Sequence, residues 1–338
     1  MQYRYIGRSG LRVSPICLGT MTFGSQCDEK NAFAIMDKAY DAGVNFFDTA
    51  ELYPVPPEAK LAGLTEEMVG RWLKSKPRDS LILATKVAGA ASGWFVPPIR
   101  HGYTACDRFH IERAVEGSLK RLGTDYIDLY QMHWPDSIVP IEESLRAFDA
   151  LVQSGKVRYI GTSNDTASGT MKALMTSKYE KLARFESVQN NFSLLNRRDL
   201  DGISGVCKSE NISLLPYSPL GGGVLSGKYN QASHVHGRFS DYIQSTNKRQ
   251  RLMAARFLND KTLASTQEYL RIAHEAQMDI VTMAIAWSKQ FDFVASTIIG
   301  ATTPEQLDAS LAAMNVTLSP EILEALDNVH AKILYPMG

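Results

Sequence analysis

Cysteine is scarce in this chain: four in 338 residues, at Cys17, Cys27, Cys106 and Cys207. They are scattered, without CxxC spacing or a paired histidine, which argues against a disulfide framework or a zinc site and for reduced thiols. No apolar stretch approaches the roughly 20 residues that cross a bilayer. The opening run from Met1 to Ser9 also has no apolar core of the secretory kind. An excess of one charge is missing too, because 36 Lys+Arg balance 36 Asp+Glu. Nothing in that balance favours nucleic acid or an anionic membrane as partner. No heptad or apolar surface stripe calls for association. These absences lead to an expectation of a cytoplasmic monomer whose partner is a small molecule.

What is present is alternation. Short β-branched runs at 16–18, 45–48, 81–85, 127–131, 159–162, 187–190, 213–217 and 297–299 are separated by helix-patterned stretches. Among those stretches are 30–42, 66–74, 109–122, 141–153 and 166–176, with Gly43, Gly123 and Gly155 just past the ends of three. Eight strand–helix units indicate an α/β fold of the (β/α)8 TIM-barrel type, with residues 1–338 as one domain. A doubly wound open sheet is the rival, but the chain lacks GxGxxG after a strand. Residues 3–6 and 11–13 suggest an N-terminal β-hairpin around Ser9-Gly10. An extra C-terminal helix at about 320–334 is expected to pack across the barrel. Two long connections, 88–107 and 218–247, leave the carboxyl ends of strands and read as active-site walls.

Three consecutive strand ends each deliver an ionisable residue: Asp48, with Tyr53 five residues on, then Lys86, then His133. Taken singly each has a plain explanation, as a turn former, a packing phenol, a solvated amine or a core histidine. Together, on one face of a barrel, they form a proton-transfer site. Reduction of a carbonyl needs a general acid beside the oxygen. Tyr53 fits if its pKa falls from about 10 towards neutrality. A Lys86 ammonium about 4 Å from the phenolate, at an effective dielectric of ~20, contributes roughly 4 kcal/mol, or ~3 pKa units. Asp48 would keep that amine charged, at the cost of part of its field, and His133 would orient the carbonyl oxygen.

Gly43-Val-Asn-Phe-Phe-Asp-Thr-Ala-Glu-Leu-Tyr53 resembles the signature of the aldo-keto reductases. Leu83-Ala-Thr-Lys86, Asp128-Leu-Tyr-Gln-Met-His133-Trp-Pro135, Ile160-Gly-Thr-Ser-Asn164 and Tyr217-Ser-Pro-Leu-Gly221 match later blocks in order. The likeness runs from Gly19-Thr20-Met21-Thr22-Phe23-Gly24 to Ile299-Gly-Ala-Thr-Thr303. It is nearest the Tas-like bacterial branch, itself near the potassium-channel β subunits. The resemblance implies an NADPH-dependent reductase of aldehydes and ketones, NADH being less favoured, with Asp48, Tyr53, Lys86 and His133 as its tetrad. It implies nicotinamide contacts from Ser163, Asn164 and Gln189, with Tyr217 stacking on the ring. Cofactor contacts are also expected from Gly19, Thr20, Met21, Gln26 and Asp48. Ser218, Pro219, Leu220, Gly221 and Gly222 resemble the pyrophosphate loop, with Lys228 and Arg238 as its cations. Gly300, Thr302 and Gln306, opening a helix, are expected at the 2′-phosphate, and Ser310 near adenine. Many relatives carry Lys or Arg where Thr302 and Thr303 stand, which weakens the case for strict NADPH use. The resemblance implies no metal. The alternative is a cofactor-sensing regulatory subunit like the channel β subunits, but their pattern replaces the catalytic His by Asn, whereas His133 is kept here. Met21, Tyr53, Trp94, Phe95, Tyr103, His133 and Trp134 are the expected substrate pocket, suited to aromatic aldehydes.

Overall fold

The computed structural model describes residues 2–91, 96–231 and 237–337. Two short strands, β1 (Arg4–Tyr5) and β2 (Arg12–Val13), pair antiparallel as the expected hairpin. Eight parallel strands follow: β3 (Ile16–Gly19), β4 (Phe46–Asp48), β5 (Ile82–Val87), β6 (Ile127–Met132), β7 (Val157–Ser163), β8 (Phe185–Gln189), β9 (Ser213–Leu214) and β10 (Thr297–Ile299). They lie in chain order, with β10 returning beside β3. The sheet closes through bridges Leu214–Val294 and Tyr217–Ile298, and the Ile298 N–H donates to Pro216 O at 2.7 Å. This is a (β/α)8 barrel.

The period of two along each strand sorts the barrel. Outward residues such as Phe47, Leu83, Val87, Tyr130 and Val188 pack under the helices in the main core. Inward residues Cys17, Phe46, Ile82, Ala84, Leu129 and Ile298 form a smaller core of their own. Ile6, Leu11 and Val13 of the hairpin join that inner core, so the hairpin plugs the amino end of the barrel. Further along the same inward series stand Asp48, Lys86, Gln131 and Gln189. The barrel is therefore apolar at one end and polar at the other.

The helices are α1 (Glu29–Asp41), α2 (Leu64–Leu73), α3 (Arg108–Leu122), α4 (Ile141–Gln153), α5 (Ala167–Glu180), α6 (Ile203–Glu210), α7 (Arg238–Gln244), α8 (Lys248–Phe257), α9 (Asp260–Glu275), α10 (Ile280–Lys289), α11 (Leu307–Ala312) and α12 (Pro320–Lys332). Side-chain oxygens of Asp28, Asp107, Thr166, Asn259 and Ser319 cap α1, α3, α5, α9 and α12. The connection expected over 218–247 holds more structure than its sequence suggests: 3-10 turns at Gly221–Ser226 and Lys228–Asn230, then α7. Gly221, Gly222 and Gly223 all have positive φ (55°, 64° and 97°), and such tight turns leave no helical periodicity to read. The C-terminal α12 packs along α9, and Arg197 ties it to the loop after β8 by donating to Asp327 Oδ1 (2.6 Å) and Leu326 O (2.9 Å). No described helix is long and apolar enough to cross a membrane.

Candidate active site

Asp48 ends β4, Lys86 is the last residue but one of β5, and His133 follows β6. Tyr53 arrives on the turn after β4, its N–H donating to Ala50 O at 3.1 Å. The fully buried Lys86 ammonium donates to Asp48 Oδ1 and, at 2.8 Å, to Thr49 O. Lys86 Nζ lies 5.1 Å from the centre of the Tyr53 ring, which meets the His133 ring edge-on at 5.7 Å. Asp48 Oδ2 accepts from Gln131 Nε2 at 3.0 Å and Gln189 Nε2 at 2.9 Å, and the two amides meet at 3.1 Å. The four anticipated residues are thus brought together. Gln131 was not anticipated, although its place two residues before His133 put it on the same inward face.

Electrostatics at this cluster differ from the expectation in one respect. Burial raises the Tyr53 phenol, Lys86 pulls it down and Asp48 pushes it back, leaving it above its ordinary value. The fall towards neutrality does not occur, because burial of the phenol, joined by the Asp48 carboxylate, outweighs the Lys86 charge. Burial disfavours the Lys86 ammonium, but Asp48 and then Tyr53 reverse this and its pKa is raised. Burial, followed by the Lys86 charge, takes His133 well below 6.5. Its ring is neutral at physiological pH, and Nδ1 is buried with no hydrogen-bond partner.

Beside His133 runs a second hydrogen-bonded set. Asn164, in the left-handed region at φ 54°, donates through Nδ2 to His133 O (2.9 Å) and Ser163 Oγ (3.2 Å). Its Oδ1 accepts from the Tyr217 hydroxyl at 2.7 Å, and Ser163 Oγ donates to Gln189 O at 2.7 Å. Burial, as the main cause, pushes the Tyr217 phenol up to about 12. At the end of β3, Thr20 donates through N (3.0 Å) and Oγ1 (2.9 Å) to Asp48 O. A Cβ on Gly19 would lie 2.7 Å from Ile298 Cγ2. Met21 O accepts from Val55 N at 2.8 Å, and Gln26 Nε2 donates to Val55 O at 3.1 Å, so Gln26 is bonded to the turn beyond Tyr53.

The glycine-rich turn after Ser218, Pro219 and Leu220 packs directly on two cations. A Cβ on Gly222 would lie 2.5 Å from the Phe239 ring and 2.9 Å from Arg238 Nη2, and one on Gly223 would lie 3.3 Å from Lys228 Nζ. Lys228 and Arg238 are partly buried and have no carboxylate partner among the described residues. Burial lowers both pKa values, and Arg238 lowers Lys228 further. At the third expected region, Gln306 Oε1 accepts from Thr302 N (2.9 Å) and Oγ1 (3.3 Å). The helix expected to open there begins as a 3-10 turn, Pro304–Gln306, before the short α11 that buries Ser310. Gly300 stands next to Gly19. The nearby Lys38 is paired with Asp308 at 2.6 Å.

Of the expected pocket residues, Trp134 lies against the His133 ring, tilted at 47° with the ring centres 4.9 Å apart, and its Nε1 donates to Ala90 O at 2.8 Å. Tyr103 is 79% exposed and is not brought to the cluster. Trp94 and Phe95 lie outside the described residues. All four cysteines are free and buried, and the described residues contain no cluster of three or more His, Cys, Asp or Glu able to hold a metal.

The aldo/keto reductase family profile matches residues 15–331, from the first barrel strand into α12. The chain belongs to the aldo/keto reductase family. It is 39% identical to the protein tas of Escherichia coli strain K12, over 99% of both chains. It is 36% identical to the oxidoreductase YrpG of Bacillus subtilis strain 168, over 97% of this chain and 96% of that one. A probable voltage-gated potassium channel subunit beta of Oryza sativa subsp. japonica is 33% identical, over 97% of this chain and 96% of its own. As an aldo/keto reductase the protein is an oxidoreductase of small carbonyl compounds that draws on a nicotinamide cofactor. The polar cluster stands at the carboxyl face of its barrel, where such folds build their sites.

Proposed function

We propose that this aldo/keto reductase reduces aldehydes and ketones with NADPH, with Tyr53 as general acid. The observation that carries the reading is the buried Lys86 ammonium held between Asp48 and the Tyr53 ring. A phenol raised above its ordinary pKa stays protonated and ready to donate at neutral pH. Lys86 then stabilises the phenolate as the proton leaves. Asp48 keeps the ammonium charged, and Gln131 and Gln189 hold the carboxylate by its other oxygen. The neutral His133 ring carries one proton. Placing it on Nε2 leaves the unpartnered Nδ1 as an acceptor and gives the carbonyl oxygen a second donor.

The residues present fit a phosphorylated dinucleotide. Lys228 and Arg238, both against one glycine turn and without a counter-charge among the described residues, suit a pyrophosphate. Ser163, Asn164 and Gln189 offer hydroxyl and amide groups to a carboxamide, with the Tyr217 ring beside them. Gly19, Thr20 and Met21 line the adjoining strand end, and Gly300, Thr302, Gln306 and Ser310 would take the adenosine phosphate end. When bound, the cofactor supplies hydride to the carbonyl carbon. Trp134 and Met21 shape an apolar side for aromatic aldehydes. The working unit is a single-domain monomer in the cytoplasm, and sedimentation at the mass of one chain is the expected check.

The likeness to a channel β subunit supports a second reading, a cofactor-sensing partner protein. Loss of reduced-nicotinamide absorbance with a panel of aromatic and aliphatic aldehydes separates the two. Turnover supports the reductase. NADPH binding without turnover on any aldehyde or ketone supports the sensor.

A further inference from the structure

We propose that the Glu51–Arg100 ion pair is a positioning device that sets Tyr53 and His133 in one geometry by fixing the segment 88–90 between them. This rests on the reductase reading above. Glu51 stands two residues before Tyr53 and is 5% exposed. Its Oε1 accepts from Ala88 N at 2.7 Å and Arg100 Nη2 at 2.9 Å, and its Oε2 accepts from Arg100 Nη1 at 2.7 Å. The Glu51 N–H donates to Lys86 O at 3.3 Å. On the other side, Trp134 bonds Ala90 O and packs in a tilted contact against the His133 ring, while a Cβ on Gly89 would lie 2.7 Å from Trp134 Nε1. Thr104 Oγ1 closes the set by donating to Gly89 O at 2.6 Å.

Three consecutive residues, Ala88 to Ala90, are therefore held from the Tyr53 side by Glu51 and from the His133 side by Trp134. Arg100 and Thr104 lock them from the returning chain. Arg100 and His101 have φ of 48° and 56°, and Gly102 follows at 81°. Two successive non-glycine residues in the left-handed region are disfavoured, and they persist where surrounding contacts over-determine the backbone. The bidentate pair supplies those contacts. A buried ion pair adds little stability over apolar packing, so stability alone does not account for it. Arg100 touches none of the tetrad and acts through Glu51.

The test uses Arg100→Lys, which keeps the charge but loses the bidentate fork, and the double variant Glu51→Gln/Arg100→Met, which leaves no charge buried alone. Aldehyde kcat is expected to fall about 10-fold in the first and about 100-fold in the second, as for a small misplacement of reacting groups. NADPH Kd should hold within about 2-fold, since the Lys228–Arg238 turn is built elsewhere. Hydrogen exchange at amides 88–90 should quicken in both variants. Unchanged kcat with unchanged exchange overturns the proposal, as does a loss of NADPH affinity in step with kcat. If no protein turns over, wild type included, the reductase reading fails. The exchange result then still decides whether the pair fixes 88–90.

Discussion

Burial raises the Tyr53 phenol and lowers the His133 imidazole, so both stand uncharged and able to donate at neutral pH. Reduction should therefore run level from about pH 7 to about pH 9 and fall only above the ordinary phenol range of ~10. Oxidation of the alcohol needs the phenolate and should climb over that same alkaline range. A rate profile with a Tyr53 inflection near neutrality would contradict this. Asp199 yields a stability prediction. Burial pushes it up to about 6, Asn190 only partly opposing, and its Oδ2 has no partner. Its folded pKa lies above the unfolded ~3.8, so its contribution is most favourable below about pH 4 and is lost as pH rises through about 6. Asp199→Asn should be neutral at pH 4 and stabilise by on the order of 2 kcal/mol at pH 7 to 8, read by urea unfolding at both. At this scale the tetrad was legible because each member ends a strand or follows one in a readable motif. Glu51 and Arg100 were not, because their partnership spans two loops and leaves no spacing in the sequence.

Where two elements meet, glycine settles how closely they approach. A Cβ on Gly70 of α2 would lie 2.3 Å from Arg121 O of α3, against backbone that cannot turn aside. Gly70→Ala is expected to destabilise by about 1–3 kcal/mol through forced separation of the helices. Gly205→Ala in α6 meets nothing within 4 Å and should stabilise by up to about 1 kcal/mol on helix propensity. Thermal unfolding of the two variants checks the contrast. The alternation of strands and helices was readable because parallel strands buried on both faces stand out as apolar runs. The amphipathic helix over 141–153 is equally legible: its expected and observed bounds coincide, with Pro140 and Gly155 marking its ends. The turns of 221–230 were unreadable because successive glycines at positive φ replace periodicity with local geometry.

Across the whole molecule the barrel is graded, from the hairpin-plugged apolar end to the polar end that gathers Asp48, Lys86, Gln131 and Gln189. The gradient follows from inward positions two residues apart, so a barrel reading of the sequence already implied which end gathers the polar side chains. Cofactor choice was less legible. Thr302 brings no charge, and Lys38 is held by Asp308. A modest NADPH preference is expected, and Thr302→Arg should raise the NADPH-over-NADH ratio of kcat/KM about 10-fold, the worth of one charge-assisted bond. Equal ratios in wild type and variant would remove Thr302 from the phosphate end.

The central claim is that Tyr53 delivers the proton while the rest of the site binds. Single-turnover reduction of an aldehyde by NADPH, in wild type and Tyr53→Phe, tests it most directly. The phenylalanine variant is expected to lose about 10²- to 10⁴-fold in rate with NADPH Kd unchanged. Full turnover in the phenylalanine variant would contradict it.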